Sequence, residues 1–138
     1  MITIKKQEIV KLEDVLHLYQ AVGWTNYTHQ PQMLEQALSH SLAVYMALDG
    51  DAVVGLIRLV GDGFSSVFVQ DLIVLPSYQR QGLGSALMKE ALKDYKDAYQ
   101  VQLVTEETEK NVGFYRSMGF EVLSTYDCIG MTWANREK

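Results

Sequence analysis

Two glycines separated by one residue are the clearest chemical feature of this sequence. Gly82 and Gly84 lie in the run Gln-Arg-Gln-Gly-Leu-Gly-Ser at positions 79–85, between a strand-like segment stopped by Pro76 and a helix-like segment. Glycine leaves backbone N–H groups accessible, and the start of a helix adds unsatisfied amides and the positive end of the helix dipole. The loop is therefore suited to a phosphate or pyrophosphate, to which Arg80 adds a charge-assisted contact.

Two nucleotide-binding loops do not fit this spacing. A P-loop places Gly-Lys-Ser or Gly-Lys-Thr at the end of the loop, which this run lacks. The dinucleotide fingerprint needs a third small residue where this chain has Leu87. Spacing alone leaves a second interpretation open, a tight turn between strand and helix without a ligand.

The elements that must hold this loop follow from hydrophobic periodicity and turn residues. The pattern predicts the order β-α-α-β-β-β-α-β-α-β-β, a mixed α/β domain in which helices flank one mixed sheet. Strands are predicted at residues 2–4, 42–48, 52–60, 67–75, 101–104, 120–126 and 129–133, and helices at 12–22, 31–38, 83–95 and 109–118. We expect a single domain over residues 1–138.

Composition and charge argue against several classes of function. The net charge is −5, from 12 basic and 17 acidic residues, which argues against nucleic acid as a partner and suits a cationic substrate. No apolar run approaches the ~18–20 residues that cross a bilayer, so we expect no membrane partner. With Cys128 as the only cysteine, a cytoplasmic protein is expected. His29 and His40 share no metal-ligand spacing, and we expect no metal.

Two motifs resemble one family. Residues 71–87 resemble motif A of the GNAT N-acetyltransferase superfamily, whose core Gln/Arg-x-x-Gly-x-Gly/Ala is filled here by Gln79, Gly82 and Gly84. The run Gly-Phe-Tyr-Arg-Ser-Met-Gly-Phe at residues 113–120 is similar to the Phe-Tyr-x-x-x-Gly-Phe segment of the family. The predicted element order also matches the GNAT fold over nearly the whole chain. Two motifs in the right order are far more specific than either alone.

The resemblance implies direct transfer of an acetyl group from acetyl-coenzyme A, the co-substrate, to a primary amine in a ternary complex. A small-molecule amine is the expected acceptor, and a homodimer is left open. The sheet is expected to splay near motif A to admit coenzyme A. The residues implied in coenzyme A binding are those of the pyrophosphate loop, Gln79, Arg80, Gln81, Gly82, Gly84 and Ser85, and those along the pantetheine arm, Leu72, Ile73 and Val74.

Tyr115 matches the family tyrosine that protonates the departing thiolate, a role open to a phenol of pKa ~10. Its other interpretation is packing against Phe114 and Phe120. The chain departs from the common family pattern at Thr108 and Asn111. Thr108 is predicted to cap the following helix, and Asn111 is a candidate contact of the pantetheine arm.

The general base is less defined. Some members of the family place a Glu where this chain has Gln70, which has no basic group. The neighbouring Asp71 has three candidate roles: the base, an anchor for a substrate ammonium, or a carboxylate bound to backbone amides near the loop. Strand alternation sends Gln70 and Asp71 to opposite faces unless a bulge intervenes. Deprotonation through water is the alternative to all three.

The acceptor pocket is expected between the first two predicted helices, where Trp24, Thr25 and Tyr27 either line it or cover the core. Glu106, Glu107 and Glu109 either occupy an ordinary helix start or edge a cationic pocket. Two other functions stay open: a non-catalytic acyl-coenzyme A binder that acts as a sensor or partner subunit, and an acetyltransferase for protein lysines or N-termini.

Overall fold

The computed structural model describes residues 1–134, and the chain divides into two compact units, residues 1–103 and 104–138. The first unit holds a five-stranded sheet in the order β1-β2-β3-β4-β5, in which β5 runs parallel to β4 and the other neighbours are antiparallel. The strands are β1 (Ile2–Gln7), β2 (Ala43–Asp49), β3 (Ala52–Gly61), β4 (Ser66–Val74) and β5 (Gln100–Leu103). This is the mixed α/β architecture predicted from the sequence.

Helices cover both faces of the sheet. The helices of the first unit are α1 (Leu12–Ala21), α2 (Thr25–Thr28), α3 (Pro31–Ser39) and α4 (Leu83–Asp94). The first three pack on the face that carries Leu56 and Ile73, where they form a single buried core. α4 packs on the opposite face, where Gly55 brings the sheet close to Leu87, because a Cβ there would lie 3.2 Å from the Leu87 Cδ1. α4 therefore lies against β3, which fixes the height of its N-terminus above the sheet.

β4 is irregular next to the predicted loop. Arg58 of β3 pairs with Asp71, whereas Leu59 pairs with Val69, so Gln70 is an extra residue on β4. This is a β-bulge, which breaks strict alternation of the side chains. On its other side, β4 pairs with β5 only from Ser66 to Val69.

The second unit contains α5 (Glu109–Ser117), whose N-cap is Thr108 as predicted, with the hydroxyl accepting from the Asn111 amide at 3.1 Å. The strands predicted at residues 120–126 and 129–133 do not form in the part of the chain that the structure describes. A 3₁₀ turn, Leu123–Tyr126, occupies the first of them, and the second has no regular structure up to residue 134.

The reason for the missing strands is local backbone pairing. The Asp127 amide donates to the Ser124 carbonyl, three residues upstream, and the Cys128 amide donates to the Leu123 carbonyl, five residues upstream. Asp127 adopts φ 59°. A β-strand needs a partner to satisfy its backbone groups, and this segment satisfies several of its own within a turn. Apolar residues in a sequence do not reveal whether such a partner exists.

The remaining elements agree with the predicted ones to within a few residues, apart from the short helix α2, which the sequence reading missed. The expectation of one domain stays a prediction. Within residues 1–134 no helix is long and apolar enough to cross a membrane.

Candidate active site

The glycine-containing loop leaves β4 through a 3₁₀ turn, Pro76–Tyr78, and enters α4. Gln79 closes the turn, since its Nε2 donates to the Val74 carbonyl at 3.0 Å. Two residues of the loop lie in the left-handed region, Arg80 at φ 66° and Gly82 at φ 78°. A non-glycine residue in this region costs on the order of 1 kcal/mol, and such strain tends to persist at functional sites.

The backbone amides from Arg80 to Ser85 donate to no acceptor in the described chain. The first paired amide is that of Ala86, which donates to the Gly82 carbonyl at 3.0 Å. No side chain caps the helix, and a Cβ built on Gly82 would meet no atom within 4 Å. A row of free N–H groups thus faces open space at the positive end of α4, an arrangement that binds an anion.

The edge of β4 that leads to this loop is open. Leu72, Ile73 and Val74 pair with β3 on one side. On the other side, pairing with β5 stops at Val69, so these three residues have no strand partner there among residues 1–134. The opening expected beside the loop is present, and the backbone groups of this edge other than the Val74 carbonyl, which accepts from Gln79, are available to an extended ligand such as a pantetheine arm.

A buried polar network lies beside this opening, on the face covered by α1, α2 and α3. The Asp71 carboxylate receives Arg58 Nε at 2.7 Å, the Tyr19 hydroxyl at 2.8 Å and the Tyr27 hydroxyl at 2.9 Å. Arg58 and Asp71 are 4% and 3% exposed, the only charged residues counted as buried in the described chain. The Arg58 guanidinium also donates to the Tyr27 hydroxyl, the Ala37 carbonyl and Ser41 Oγ.

The protonation of the two tyrosines is fixed by their surroundings. Burial, and next the charge of Asp71, raise the pKa of Tyr19 and of Tyr27 above the ordinary value of 10.0. Both hydroxyls therefore remain protonated at neutral pH and act as donors to Asp71. The network joins α1, α2 and α3 to β3 and β4 through hydrogen bonds that leave no buried side-chain polar atom unpaired in the described residues.

The bulge places Gln70 next to the same network. Gln70 Nε2 lies 3.5 Å from the Tyr27 hydroxyl, to which Asp71 is also bonded. Adjacent residues of a regular strand would face opposite ways, and here both reach one hydroxyl. Unlike Asp71, Gln70 is exposed.

This environment bears on the roles considered for Asp71. Both carboxylate oxygens are used by Arg58 and the two tyrosines, and no backbone amide donates to them in the described chain. The prediction that Asp71 binds backbone amides near the loop is therefore wrong. The base and ammonium-anchor roles stay predictions, and the geometry counts against both because the side chain is 2% exposed.

The residues expected to form the acceptor pocket have different environments. Tyr27 is buried, Trp24 is partly buried and Thr25 is exposed at the start of α2. The ring of Tyr19 packs edge to face against Trp24 and Tyr27, and the last two rings are tilted against each other, with centroids 5.0–6.3 Å apart. Tyr27 thus covers the core and ends in the network, and a pocket role for the three residues stays a prediction.

In the second unit, the Tyr115 ring packs against Phe114 and Phe120, with centroids 5.0 and 6.0 Å away. Burial raises the pKa of Tyr115 above the ordinary value of 10.0. Among residues 1–134 no side chain is hydrogen-bonded to its hydroxyl, and burial alone accounts for the shift. The packing interpretation is thus observed, and the free hydroxyl also leaves the acid role available.

The Asn111 side chain donates to the Glu106 carbonyl at 3.3 Å, and its contact with pantetheine stays a prediction.

Sequence analysis missed Tyr19 and Arg58. The sequence held a signal for one of them, since Arg58 interrupts an apolar run in β3 just as Asp71 interrupts one in β4. Charged residues in otherwise apolar strands are rarely buried unless they are paired.

A concave region of about 550 Å³ beside α1 and β1 was also missed; it is edged by Glu13, Asp14 and Asp51. Within residues 1–134, no cluster of three or more His, Cys, Asp or Glu could hold a metal.

Comparison with known proteins agrees with this geometry. A family model described as an acetyltransferase (GNAT) domain matches residues 6–128. A curated relative, serotonin N-acetyltransferase 2 from the chloroplast of rice (Oryza sativa subsp. japonica), is 33% identical over 95 residues, which cover 66% of this chain and 48% of that protein. The chain thus spans about half the length of this relative.

Two solved structures show the same fold. A GNAT-family acetyltransferase from Streptococcus pneumoniae TIGR4 is 85% identical, with a TM-score of 0.92, and the match covers 99% of this chain and 100% of that one. The PaiA N-acetyltransferase of Thermoplasma acidophilum, solved in complex with coenzyme A, is 18% identical with a TM-score of 0.69 and matches 87% of this chain and 91% of that one.

Proposed function

This chain belongs to the GNAT family of acetyltransferases, and we propose that it transfers the acetyl group of acetyl-coenzyme A to a primary amine of a small molecule. The observation that carries the proposal is the row of free amides from Arg80 to Ser85 at the start of α4. This row follows directly on the open edge of β4. An anion site and an adjoining free strand edge are what a pyrophosphate joined to an amide-rich arm requires.

The donor-side chemistry follows from these groups. When bound, the thioester of coenzyme A supplies an activated acetyl group. The loop amides hold the pyrophosphate, Arg80 adds charge, and the open backbone of Leu72 to Val74 orients the arm. Holding the thioester beside an amine converts a bimolecular reaction into a positioned one, which can lower the barrier by ~7–11 kcal/mol at best.

Tyr115 is the proposed donor to the leaving sulfur, on the strength of its place in the second motif. Transfer of a proton from a phenol of pKa ~10 to a thiolate with the ordinary pKa of a cysteine, ~8.5, is uphill by about 2 kcal/mol. Because burial raises the pKa of Tyr115 further, the hydroxyl stays protonated throughout the neutral range. Its main contribution is therefore a hydrogen bond to the sulfur as negative charge develops, and protonation completes the departure.

The relatives support this proposal without defining the acceptor. The rice relative is named for serotonin, a small-molecule amine, and the Thermoplasma structure contains coenzyme A. The chain spans only part of the rice protein, so its acceptor is not transferred from that name.

The test is release of free coenzyme A thiol from acetyl-coenzyme A in the presence of a panel of small primary amines. We expect at least one amine to give thiol and acetylated product in equal amounts. Tyr115→Phe should lower kcat about ten- to a hundredfold with little change in coenzyme A affinity. Tyr126→Phe, at an exposed tyrosine of the same unit, is the matched control and should leave kcat unchanged. Equal kcat in Tyr115→Phe and wild type would contradict the acid role.

A non-catalytic binder is the second candidate, and Gln70 in place of a family glutamate is the observation that favours it. A binder would take up coenzyme A with the same loop and release no thiol with any amine above the rate without enzyme. Calorimetric titration with coenzyme A alongside the amine panel separates the two functions, because only the enzyme couples binding to turnover.

A further inference from the structure

We propose that the acceptor is an amine of low basicity, of the class of an α-amino group, and that the Gln70 side-chain oxygen receives one of its N–H groups. The proposal rests on the proposed acetyltransferase function and names the acceptor class of that same site. The role of Gln70 follows from three properties of the polar network around Asp71: which atoms donate hydrogen bonds, which accept them, and which already have a partner.

The position of Gln70 comes first. It is the bulged residue of β4 and directly follows Val69, the last residue of β4 that pairs with β5. It therefore lies where the edge of β4 opens, and it is exposed. A side chain at this position borders the edge of β4 along which the pantetheine arm of coenzyme A is proposed to bind.

The orientation of the Gln70 amide follows from Tyr27. The Tyr27 proton is committed to Asp71 Oδ1 at 2.9 Å, so the Tyr27 oxygen is left only as an acceptor. It accepts from Arg58 at 3.2 Å and faces Gln70 Nε2 at 3.5 Å. The alternative amide orientation would set the Gln70 oxygen against an oxygen with no proton to give. The amide nitrogen therefore points to Tyr27, and no donor among residues 1–134 is bonded to the carbonyl oxygen, which can accept a hydrogen bond.

A proton acceptor of the base type is lacking on this strand. Asp71 is the one carboxylate of β4, and its oxygens are held by Arg58 from β3, Tyr19 from α1 and Tyr27 from α2. α3 contributes only neutral groups, the Ala37 carbonyl and, just beyond the helix, Ser41. An amide oxygen positions an amine by accepting its hydrogen bond but does not take its proton at neutral pH.

A site at which Gln70 takes the place of a base depends on the amine that is already neutral. Near pH 7 an α-amino group of pKa about 7.7–8.0 is roughly 10–15% neutral, whereas an alkyl amine of pKa about 10.4 is about 0.04% neutral. The ratio is about 300-fold. The greater nucleophilicity of the more basic amine offsets part of it, so we expect a net preference of about ten- to a hundredfold.

The experiment uses two acceptors with the same phenyl-ethyl skeleton, phenylalanine amide and 2-phenylethylamine. Initial rates of thiol release give kcat/KM for each from about pH 6 to about pH 10. We expect phenylalanine amide to be preferred at least tenfold near pH 7, each profile to have its midpoint at the pKa of its own amine, and the preference to shrink as pH rises. A common midpoint between about pH 6 and pH 8 for both amines, or a preference for the alkyl amine near pH 7, would overturn the inference.

Gln70→Glu tests the residue itself. A carboxylate of nearly the same shape should raise kcat/KM for 2-phenylethylamine near pH 7 at least tenfold, with a smaller gain for phenylalanine amide. Gln32→Glu adds the same charge at an exposed position of α3 and should change neither. Equal values for Gln70→Glu and wild type with both amines would refute the role of Gln70.

Failure of the inference and failure of the proposed function give different results. Absence of thiol release with both amines and with the wider panel would overturn the proposed function. Turnover with a midpoint shared by both amines would leave the acetyltransferase intact and assign deprotonation to a side chain of the protein, a histidine or a carboxylate. Substitution of Glu106, Glu107 and Glu109 by Gln would then show whether one of these carboxylates is that side chain, because the midpoint would be lost.

Discussion

Asp71→Asn removes one partner of the buried ion pair and keeps the shape of the side chain. Arg58 is 4% exposed and its Nε lies 2.7 Å from Asp71 Oδ2, so the variant leaves a buried guanidinium without its counter-charge. Removing one partner of such a pair costs about 3–5 kcal/mol. An Asn oxygen at the Oδ2 position still accepts from Arg58 and Tyr19, and the Tyr27 hydroxyl, which meets the NH2 group in place of Oδ1, can accept from it instead of donating. Because these groups keep partners, we expect a loss at the lower end of the range, about 3 kcal/mol.

This loss in the free energy of unfolding can be converted into a shift of the melting temperature, because the unfolding entropy scales with the length of the chain. At about 2.1 cal/mol/K per residue, the 138 residues have an unfolding entropy of about 0.29 kcal/mol/K, so 3 kcal/mol lowers Tm by about 10 °C. Calorimetry and urea denaturation at neutral pH measure both quantities. Asp51→Asn, at an exposed carboxylate, is the matched control and should shift Tm by less than about 2 °C.

A double-mutant cycle refines the measurement. Arg58→Met combined with Asp71→Asn should cost less than the sum of the single changes, because no uncompensated charge remains. Activity is measured well below Tm, where the variant is folded. If Asp71 only holds the buried network together, the variant should retain at least about a tenth of the wild-type kcat/KM. If Asp71 is the general base, kcat/KM should fall about a hundredfold or more. A Tm within about 3 °C of wild type would refute the structural reasoning, because it would mean a loss below about 1 kcal/mol.

Three further predictions concern the loop, the β3–β4 turn and Tyr115. Gly82→Ala should lower the free energy of unfolding by about 1–2 kcal/mol and weaken coenzyme A binding in calorimetry. Gly23→Ala, at a similar φ of 72°, is the control and should cost the same stability but leave binding unchanged. Equal binding by both variants would contradict the amide site. The Ser65 hydroxyl and then nearby backbone amides hold the pKa of Asp62 well below its ordinary value. The ionised Asp62 therefore stabilises the fold above about pH 3.9, and this stabilisation is lost as pH falls further. The Tm difference between wild type and Asp62→Asn should shrink on acidification, and a difference that grows would contradict the lowered pKa. Because burial raises the pKa of Tyr115, the kcat of wild type and of Tyr115→Phe should run parallel with pH up to about pH 9, and a decline in wild type alone below that pH would show that Tyr115 ionises earlier.

The loop could be predicted from the sequence because its function depends on backbone amides. Gly82 and Gly84 mark where a chain turns tightly into a helix, and the turn itself creates the free N–H groups. Neither the left-handed φ of Arg80 nor the end of the β4–β5 pairing is encoded by one residue type. Both depend on how neighbouring strands diverge, which periodicity within a single segment does not register.

The acceptor side was harder to predict because it depends on register. Whether Gln70 and Asp71 face the same way is set by one extra residue in β4 opposite β3, and the sequence shows no glycine or proline at the bulge. The two predicted C-terminal strands were wrong for a related reason. Apolar content indicates a strand only where another strand pairs with it, and residues 123–128 pair locally instead.

The bulge also has an evolutionary consequence. It places an exposed, replaceable side chain directly beside a rigid buried cluster, so that Gln70 can change with little effect on folding while Tyr27 and Asp71 cannot. Most destabilising substitutions are removed by selection, and positions that escape this filter are the ones at which new specificity accumulates. A lineage of such chains is therefore expected to exchange acceptors through position 70, and to keep unchanged the cluster that holds it in place.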